Sequence, residues 1–204
     1  CGLTIEVIPG EEESRLSYLA IKSGIGLSQG AMVIFDTGGG STEFVYGRGP
    51  KVEERFSLNV GAIRFTEKYA LGGVVSPDQL GKAMEAIAAD LQRLDTAHTP
   101  DTLVGMGGTV TNIAGVKHRL AKYDPDIVQG STINRADIEQ QIEMYRSRSI
   151  DERRKIIGLQ PKRADVILGG VCIVKTVMDK LRKDAFSVSD RGLRHGLLVD
   201  RFGN

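Results

Sequence analysis

The feature that most constrains this chain is an octet at residues 36–43, Asp-Thr-Gly-Gly-Gly-Ser-Thr-Glu, which directly follows the apolar run 31–35. A buried strand that runs into three glycines predicts a turn whose backbone N–H groups converge on an anion, because glycine tolerates positive φ and has no Cβ. The carboxylates of Asp36 and Glu43 are of the kind that hold Mg²⁺ directly or through water. The octet therefore predicts a phosphate-binding loop with metal ligands, but a turn that only links two strands has the same composition.

A second glycine turn, at residues 104–112, favours the first interpretation. It follows a predicted strand at 102–104 and precedes an apolar helix at 113–120. The first N–H groups of a helix lack partners, so a glycine-led N-terminus binds anions readily. Neither turn has the Gly-Lys-Ser/Thr of a P-loop or the spaced glycines of a dinucleotide fold. The two turns predict a phosphate chain gripped from two sides, with backbone contacts from Gly38, Gly39, Gly40, Ser41, Gly107, Gly108 and Thr109.

Composition limits the classes of protein. Apolar content of 41% and charged content of 26% are ordinary for a globular protein, and a net charge of +1 argues for neither nucleic-acid nor membrane binding. The two cysteines, Cys1 and Cys172, exclude a disulfide framework and suit a reducing cytoplasm, and Cys172 is expected in the core. The three histidines have no metal-ligand spacing, so no zinc site is predicted. Because the sequence opens on Cys1 and runs almost directly into a predicted strand, we expect it to be part of a longer protein.

Hydrophobic periodicity predicts a mixed α/β order of elements. Strands are predicted at 4–8, 31–36, 42–46, 52–58, 102–104 and 186–189. Helices are predicted at 11–22, 61–69, 77–94, 113–120, 134–157 and 163–181, with a last helix ending near 202. Residues 23–30 contain three glycines and are expected to form a linker or hinge.

Six segments in order resemble the exopolyphosphatase and guanosine pentaphosphate phosphohydrolase family: 6–16, 36–43, 57–67, 105–109, 162–167 (Lys-Arg-Ala-Asp-Val-Ile) and 188–196. The resemblance implies an actin-like ATPase (ribonuclease H-like) lobe, an α/β fold with a mixed sheet and flanking helices. Family members begin with an N-terminal lobe that carries its own phosphate loop. Residues 1–24 are therefore expected to be the last strand and helix of that lobe, and residues 25–204 the C-terminal phosphate-binding lobe.

The resemblance also implies a catalytic base. In the family this base is the second Glu of a Gly-x-Glu-Glu-Ala-Arg-Leu motif, which falls on Glu13 here, with Ser14 in place of Ala. Glu12 is the alternative position, and an exposed acid that only favours a helix start is the structural alternative. The octet carboxylates Asp36 and Glu43 are implied to bind Mg²⁺ and to position the attacking water.

Arginines near the predicted turns are further candidates for phosphate contact. Arg64, Arg191 and Arg194 each lie beside a glycine at a predicted helix start, and arginine matches phosphate oxygens bidentately. Surface solvation or a structural ion pair explains each of them almost as well. The basic stretch 146–163 either extends a polyphosphate track or forms a solvated helical face.

These observations predict a phosphohydrolase that releases terminal phosphate from inorganic polyphosphate or guanosine pentaphosphate with Mg²⁺. The alternatives are a polyphosphate or nucleotide sensor without turnover and a kinase of the same superfamily, for which no sugar- or acetate-binding segment is found. With one lobe of the cleft missing, the 204 residues alone are expected to be inactive. The resemblance also implies a homodimer. The cysteine content favours the cytoplasm, and the net charge gives no reason to expect nucleic-acid or membrane partners.

Overall fold

A six-stranded mixed sheet forms the centre of the fold in this computed structural model, which describes residues 8–25, 30–96 and 98–203. Its strands are β1 (Ala31–Thr37), β2 (Thr42–Arg48), β3 (Lys51–Leu58), β4 (Thr102–Met106), β5 (Thr132–Asn134) and β6 (Ala185–Ser189). Their spatial order is β3-β2-β1-β4-β6-β5. The first three strands form an antiparallel meander, β1, β4 and β6 are parallel, and β5 is antiparallel to β6.

Helices cover both faces of this sheet. They are α1 (Gly10–Ile25), α2 (Ala62–Tyr69), α3 (Pro77–Asp90), α4 (Gly107–Lys117), α5 (Pro125–Val128), α6 (Arg135–Arg146), α7 (Ile150–Arg153), α8 (Ile167–Lys180) and α9 (Leu193–Phe202), with short 3₁₀ helices at Gln92–Thr96 and Pro161–Arg163. None of the described helices is both long and apolar enough to cross a membrane. The predicted fold class, a mixed sheet with flanking helices, is confirmed.

Several predicted boundaries are wrong for local reasons. The helix predicted at 134–157 is two helices, because Ser149 accepts the N–H of Glu152 and starts α7 anew. The helix predicted at 113–120 already begins at Gly107. The predicted hinge at 23–30 is helical as far as Ile25, while residues 26–29 and most of the predicted strand 4–8 lie outside the described residues. β5 and α5 have no counterpart in the sequence prediction.

Alternation along β1 divides the core into two layers and decides where Asp36 points. Val33 and Phe35 belong to the larger cluster, which packs under the helices of one face. Met32 and Ile34 belong to the smaller cluster, which packs against α1 on the other face. Successive side chains on a strand point to opposite faces, so Asp36 shares the face of α1 at the end of the strand.

The larger layer explains the adjacent glycines inside α8. A Cβ at Gly169 would lie 2.6 Å from Thr66 Oγ1, and a Cβ at Gly170 would lie 2.7 Å from Thr109 Cγ2. Glycine costs helix stability, so close packing of α8 against α2 and α4 is what these two positions require. Cys172 on the same helix is fully buried, as predicted.

The smaller layer depends on a close crossing of α1 and α9. A Cβ at Gly196 would lie 1.9 Å from the backbone O of Leu16, so only glycine allows this approach. Beside the crossing, Arg15 Nη1 donates to Asp200 Oδ1 at 2.8 Å. The C-terminal helix therefore fixes the position of α1 on the sheet. The assignment of residues 1–24 to a separate lobe stays a prediction.

We expect Gly196→Ala to lower the free energy of unfolding by about 1–3 kcal/mol, because the added methyl overpacks the helix crossing. Gly81→Ala is the matched control, since Gly81 is also helical but has no atom within 4 Å of its Cβ position. That variant should gain about 0.5–1 kcal/mol from the higher helix propensity of alanine. Urea unfolding of both variants measures the difference, and equal stabilities would contradict the close crossing.

Candidate functional site

The two glycine turns meet at one edge of the sheet. β1 and β4 are parallel neighbours, and Asp36 at the end of β1 is in register with Met106 at the end of β4. Each strand then runs directly into its glycine turn. Crevices outside the carboxyl ends of parallel strands are the usual binding sites of open α/β sheets. The predicted proximity of the two turns is thus present in the structure.

The first turn leaves backbone donors unoccupied. Gly38 N–H donates to Ser41 O at 2.9 Å and closes the turn, so this N–H is not free to contact phosphate. The N–H groups of Gly39, Gly40 and Ser41 have no acceptor among the residues that the structure describes. These three donors are therefore available to an anion.

The carbonyl groups of the first turn are used to cap α2. Gly38 O accepts from Ala62 N at 2.9 Å, and Gly39 O accepts from Ile63 N at 2.9 Å and from Arg64 N at 3.2 Å. The N-terminus of α2 is thereby satisfied by the loop and does not form an anion site of its own. These three hydrogen bonds hold the first turn against the start of α2.

The second turn is built around a contact with Asp36. Gly107 has φ +83°, a backbone conformation that favours glycine. A Cβ at this position would also lie 2.0 Å from Asp36 Oδ1, so the contact with Asp36 requires glycine as well. Met106 at the N-cap provides no side-chain bond, and the N–H groups of Gly107, Gly108 and Thr109 find no acceptor in the described part of the chain. The Thr109 hydroxyl instead donates to Thr37 O at 2.9 Å and ties the two turns together.

Three carboxylates line one cleft of about 560 Å³ beside these turns. Asp36 and Glu43 are cross-strand partners on β1 and β2, and Glu13 approaches from the first turns of α1. Burial raises the pKa of Asp36 to about 7, and the negative charges of Glu43 and Glu13 add to the effect. The cleft therefore concentrates negative charge. Arg55 and Arg163 lie nearby, but the hydrogen bonds of Glu43 among the described residues come from the hydroxyl groups of two serines and not from a cation.

Hydroxyl groups orient Glu43. Its Oε1 accepts hydrogen bonds from Ser41 Oγ and, at 3.0 Å, from Ser57 Oγ. The Ser41 hydroxyl is thus committed to Glu43, so the contribution of Ser41 to an anion would come from its backbone N–H.

The structure separates Glu12 from Glu13. Glu12 forms a two-fold hydrogen-bonded pair with Arg15, with both N···O distances at 2.8 Å, and the hydrogen bond lowers the Glu12 pKa. Glu12 does not line the cleft, whereas Glu13 does. Neighbouring residues on a helix point about 100° apart, so only one of the two reaches the sheet edge. The catalytic role of Glu13 stays a prediction.

The predicted arginines lie around the second turn and at the rim of the first. Arg191 and Arg194 line a pocket of about 290 Å³ together with Gly107 and Gly108. This pocket adjoins the carboxylate cleft, since Met106 and Leu193 line both. Arg64 is exposed on α2, where its backbone rather than its guanidinium contacts the first turn.

Two further arginines at the site were not identified from the sequence. The half-buried Arg163 lies over the start of α4, where a Cβ on Gly108 would be 2.5 Å from its Nη2, and its charge partly offsets the raised pKa of Asp36. Arg55 lines the carboxylate cleft from β3. The motif at 162–167 was the available signal for Arg163, but nothing in one sequence connects that motif to Gly108.

Most of the basic stretch 146–163 is engaged elsewhere. Arg146 and Arg154 form ion pairs with the nearby acids Glu143 and Asp151. Arg153 is fully buried. Within this stretch, Arg163 is the arginine seen to reach a glycine turn, which gives no support to a continuous polyphosphate track.

The donor set at the cleft fits Mg²⁺. Magnesium prefers hard oxygen ligands and is commonly held by one or two carboxylates, with water and phosphate oxygens completing its coordination. Asp36 and Glu43 provide two such carboxylates on adjacent strands, in a site with excess negative charge. No group of three or more His, Cys, Asp or Glu side chains arranged for a metal is found among the described residues.

The raised pKa of Asp36 predicts a pH-dependent gain in stability on its replacement. As pH rises above the ordinary value of 3.8, the unfolded chain releases this proton first, so the free energy of unfolding falls between about pH 4 and pH 7. We therefore expect Asp36→Asn to be more stable than the native protein by about 1–3 kcal/mol at pH 8 without divalent cations, and by less at pH 4.

Urea unfolding at the two pH values measures this difference. Glu85→Gln, which changes an exposed acid on α3, serves as the control and should stay within about 0.5 kcal/mol of the native protein. A stability difference between Asp36→Asn and the native protein that is the same at pH 4 and at pH 8 would show that burial does not oppose the Asp36 charge.

Comparisons with known proteins agree with this geometry. The family described as the Ppx/GppA phosphatase family matches residues 1–204. Exopolyphosphatase 2 of Mycobacterium tuberculosis is 27% identical over 99% of this chain, and the guanosine-5'-triphosphate,3'-diphosphate pyrophosphatase of Photobacterium profundum is 28% identical over 98%. The crystal structure of the Aquifex aeolicus Ppx/GppA phosphatase superposes with a TM-score of 0.90 at 33% identity over 98% of this chain. The chain spans 65%, 39% and 66% of these three proteins, respectively.

Proposed function

The chain belongs to the Ppx/GppA phosphatase family, and from this premise we propose that the protein containing it is a phosphoric anhydride hydrolase. Its proposed substrates are inorganic polyphosphate or guanosine pentaphosphate, from which it releases the terminal phosphate. The observation that carries this proposal is the convergence of Glu13, Asp36 and Glu43 on a cleft that adjoins two turns with free N–H groups. Relatives named for each substrate support both, so the choice between them stays open.

The proposed reaction assigns each part of the site one task. Backbone N–H groups of the two turns and the guanidinium of Arg163 bind the phosphate oxygens, because charge-assisted bonds to phosphate are strong and directional. Glu13 accepts a proton from a water molecule while the oxygen of that water attacks the terminal phosphorus. The bond from this phosphorus to the bridging oxygen breaks, and the bridging oxygen leaves with the shortened chain. The products are inorganic phosphate and a chain shortened by one phosphate.

Asp36 and Glu43 are the residues that would hold Mg²⁺, which when bound offsets the charge on the phosphate oxygens. The excess negative charge of the cleft supports this role, since a cation would lower the cost of keeping Asp36 ionised. Ser41 and Ser57 keep the Glu43 carboxylate oriented toward the cleft without neutralising it.

We expect Glu13→Gln to lower phosphate release from long-chain polyphosphate by about 10²- to 10⁴-fold, because the amide cannot accept the proton from water. Glu12→Gln is the matched control, since it changes the neighbouring acid outside the cleft and breaks an exposed ion pair of little value. Phosphate release by the full protein with Mg²⁺ measures both rates. A Glu13→Gln protein as active as the control would contradict the assignment of the base.

The same experiment distinguishes a hydrolase from a sensor. A native protein that binds polyphosphate but releases no more phosphate than Glu13→Gln would be a binding protein without turnover. The 204 residues alone are expected to release little phosphate, a prediction that comparison with the full protein tests directly.

We expect Glu43→Gln to raise the Mg²⁺ concentration required for half-maximal activity by about 10-fold or more, because one carboxylate ligand becomes a neutral amide. Glu67→Gln, on the exposed side of α2, should leave that concentration unchanged. Titration of activity with Mg²⁺ measures the shift. An unchanged Mg²⁺ requirement in Glu43→Gln would remove Glu43 from the metal site.

A further inference from the structure

A buried asparagine on α4 joins the second glycine turn to the segment that carries Arg163. Asn112 is 2% exposed, and both ends of its amide are used. Its Nδ2 donates to Gly108 O at 2.7 Å, and its Oδ1 accepts from Gln160 N at 2.8 Å. One side chain therefore connects two segments 48 residues apart, and losing it removes the acceptor of the Gln160 N–H.

The segment that carries Arg163 has a second anchor, at Ala164, on the other side of this arginine. Arg153 is fully buried, and its Nη1 donates to Ala164 O at 3.3 Å and to Leu71 O at 3.0 Å, while its Nε donates to Tyr145 O at 2.8 Å. The 3₁₀ helix 161–163 thus lies between two anchored positions, Gln160 and Ala164. Its path over the start of α4 is determined by buried hydrogen bonds.

Arg163 itself has no such anchor on its side chain. Its guanidinium lies beside Gly108 but makes no hydrogen bond or ion pair with any described residue. The Arg163 charge is attracted to the Asp36 carboxylate, but a long side chain without a hydrogen bond normally samples several rotamers. The position of its backbone is therefore what keeps this guanidinium over the glycine turn.

We propose that Asn112 is a positioning residue that holds Arg163 over the first turn of α4, where the guanidinium meets a phosphate oxygen of the substrate. The role of the phosphate rests on the proposed function, but the link between Asn112 and Arg163 does not. Asn112 does not reach the ligand itself, because its amide is buried and both of its ends are bonded to backbone, one to Gly108 O and the other to Gln160 N. Its proposed effect on the ligand runs through the 160–163 segment.

Gln141 offers a matched control for the loss of a buried amide. It is 3% exposed, donates from Nε2 to Ile113 O on α4 at 2.9 Å, and accepts from the Tyr145 hydroxyl at 2.9 Å. Gln141 therefore resembles Asn112 in burial, in the number of its bonds and in its contact with α4. The two differ in that Asn112 is bonded to the segment that carries Arg163 and to Gly108, whereas Gln141 is bonded to neither. An Arg163→Ala background separates these two contacts.

The first test needs no ligand. In ¹⁵N-labelled protein, the Nε–Hε signal of Arg163, identified by its loss in Arg163→Lys, reports the mobility of the guanidinium through its heteronuclear NOE. We expect this NOE to fall clearly in Asn112→Ala and to stay at the native value in Gln141→Ala. An unchanged NOE in Asn112→Ala would overturn the proposal.

The second test measures affinity for tripolyphosphate by calorimetry in the full protein. We expect Asn112→Ala to bind about 5- to 20-fold more weakly than the native protein, and Gln141→Ala to stay within about two-fold. In an Arg163→Ala background, Asn112→Ala should have almost no further effect, because the residue it positions is gone. Fully additive effects would show that Asn112 does not act through Arg163.

If Asn112→Ala does not fold, Gln160→Pro replaces it in both tests. Proline removes the N–H group that donates to Asn112 Oδ1. The φ of −65° at Gln160 is the value that proline adopts, so the backbone can keep its conformation. A protein that binds tripolyphosphate with the expected coupling but releases no phosphate would contradict the hydrolase and keep the positioning role. If the native protein binds no tripolyphosphate, the NOE comparison decides the proposal alone.

Discussion

The site depends on the parallel pairing of β1 and β4, which brings the Asp36 carboxylate against the backbone of Gly107. Parallel strands end at the same edge of a sheet, so two turns 70 residues apart in sequence become the two sides of one crevice. The contact leaves no room for a Cβ at Gly107, and the hydrogen bond from the Thr109 hydroxyl to Thr37 O joins the two turns directly. Donor groups of both turns are thereby fixed before any ligand arrives.

The same pairing concentrates carboxylates at a site that is partly shielded from water, which lowers the stability of the folded protein. The raised pKa of Asp36 means that the folded protein without a cation resists its ionisation. This electrostatic cost is offset by favourable packing elsewhere, in the two apolar layers and at the crossing of α1 and α9 beside Gly196. A cation or the cationic arginines around a phosphate would reduce this cost, which links the electrostatics of the cleft to its proposed chemistry.

A layer of buried polar groups supports the site from behind. Asn112 and Arg153 bind backbone carbonyl and N–H groups of segments that are distant in sequence, and Gln141 joins α6 to α4. Because unpaired polar groups are costly in the core, such bonds select one arrangement of the loops. The guanidinium of Arg163 owes its place to Asn112 and Arg153, neither of which lines the carboxylate cleft or the pocket beside it.

The sequence by itself determined the class of fold, the two glycine turns and their acids, because strand alternation, glycine runs and helix periodicity are local patterns that need no partner. It also placed Cys172 in the core. It merged α6 and α7, since a break made by one capping serine leaves the apolar period almost unchanged. Only the tertiary structure decided that Glu13 rather than Glu12 faces the cleft, that the Ser41 hydroxyl serves Glu43, and that Arg163 lies over Gly108. These outcomes depend on which side chains converge across the sheet edge, and convergence is a property of packing that no local pattern encodes.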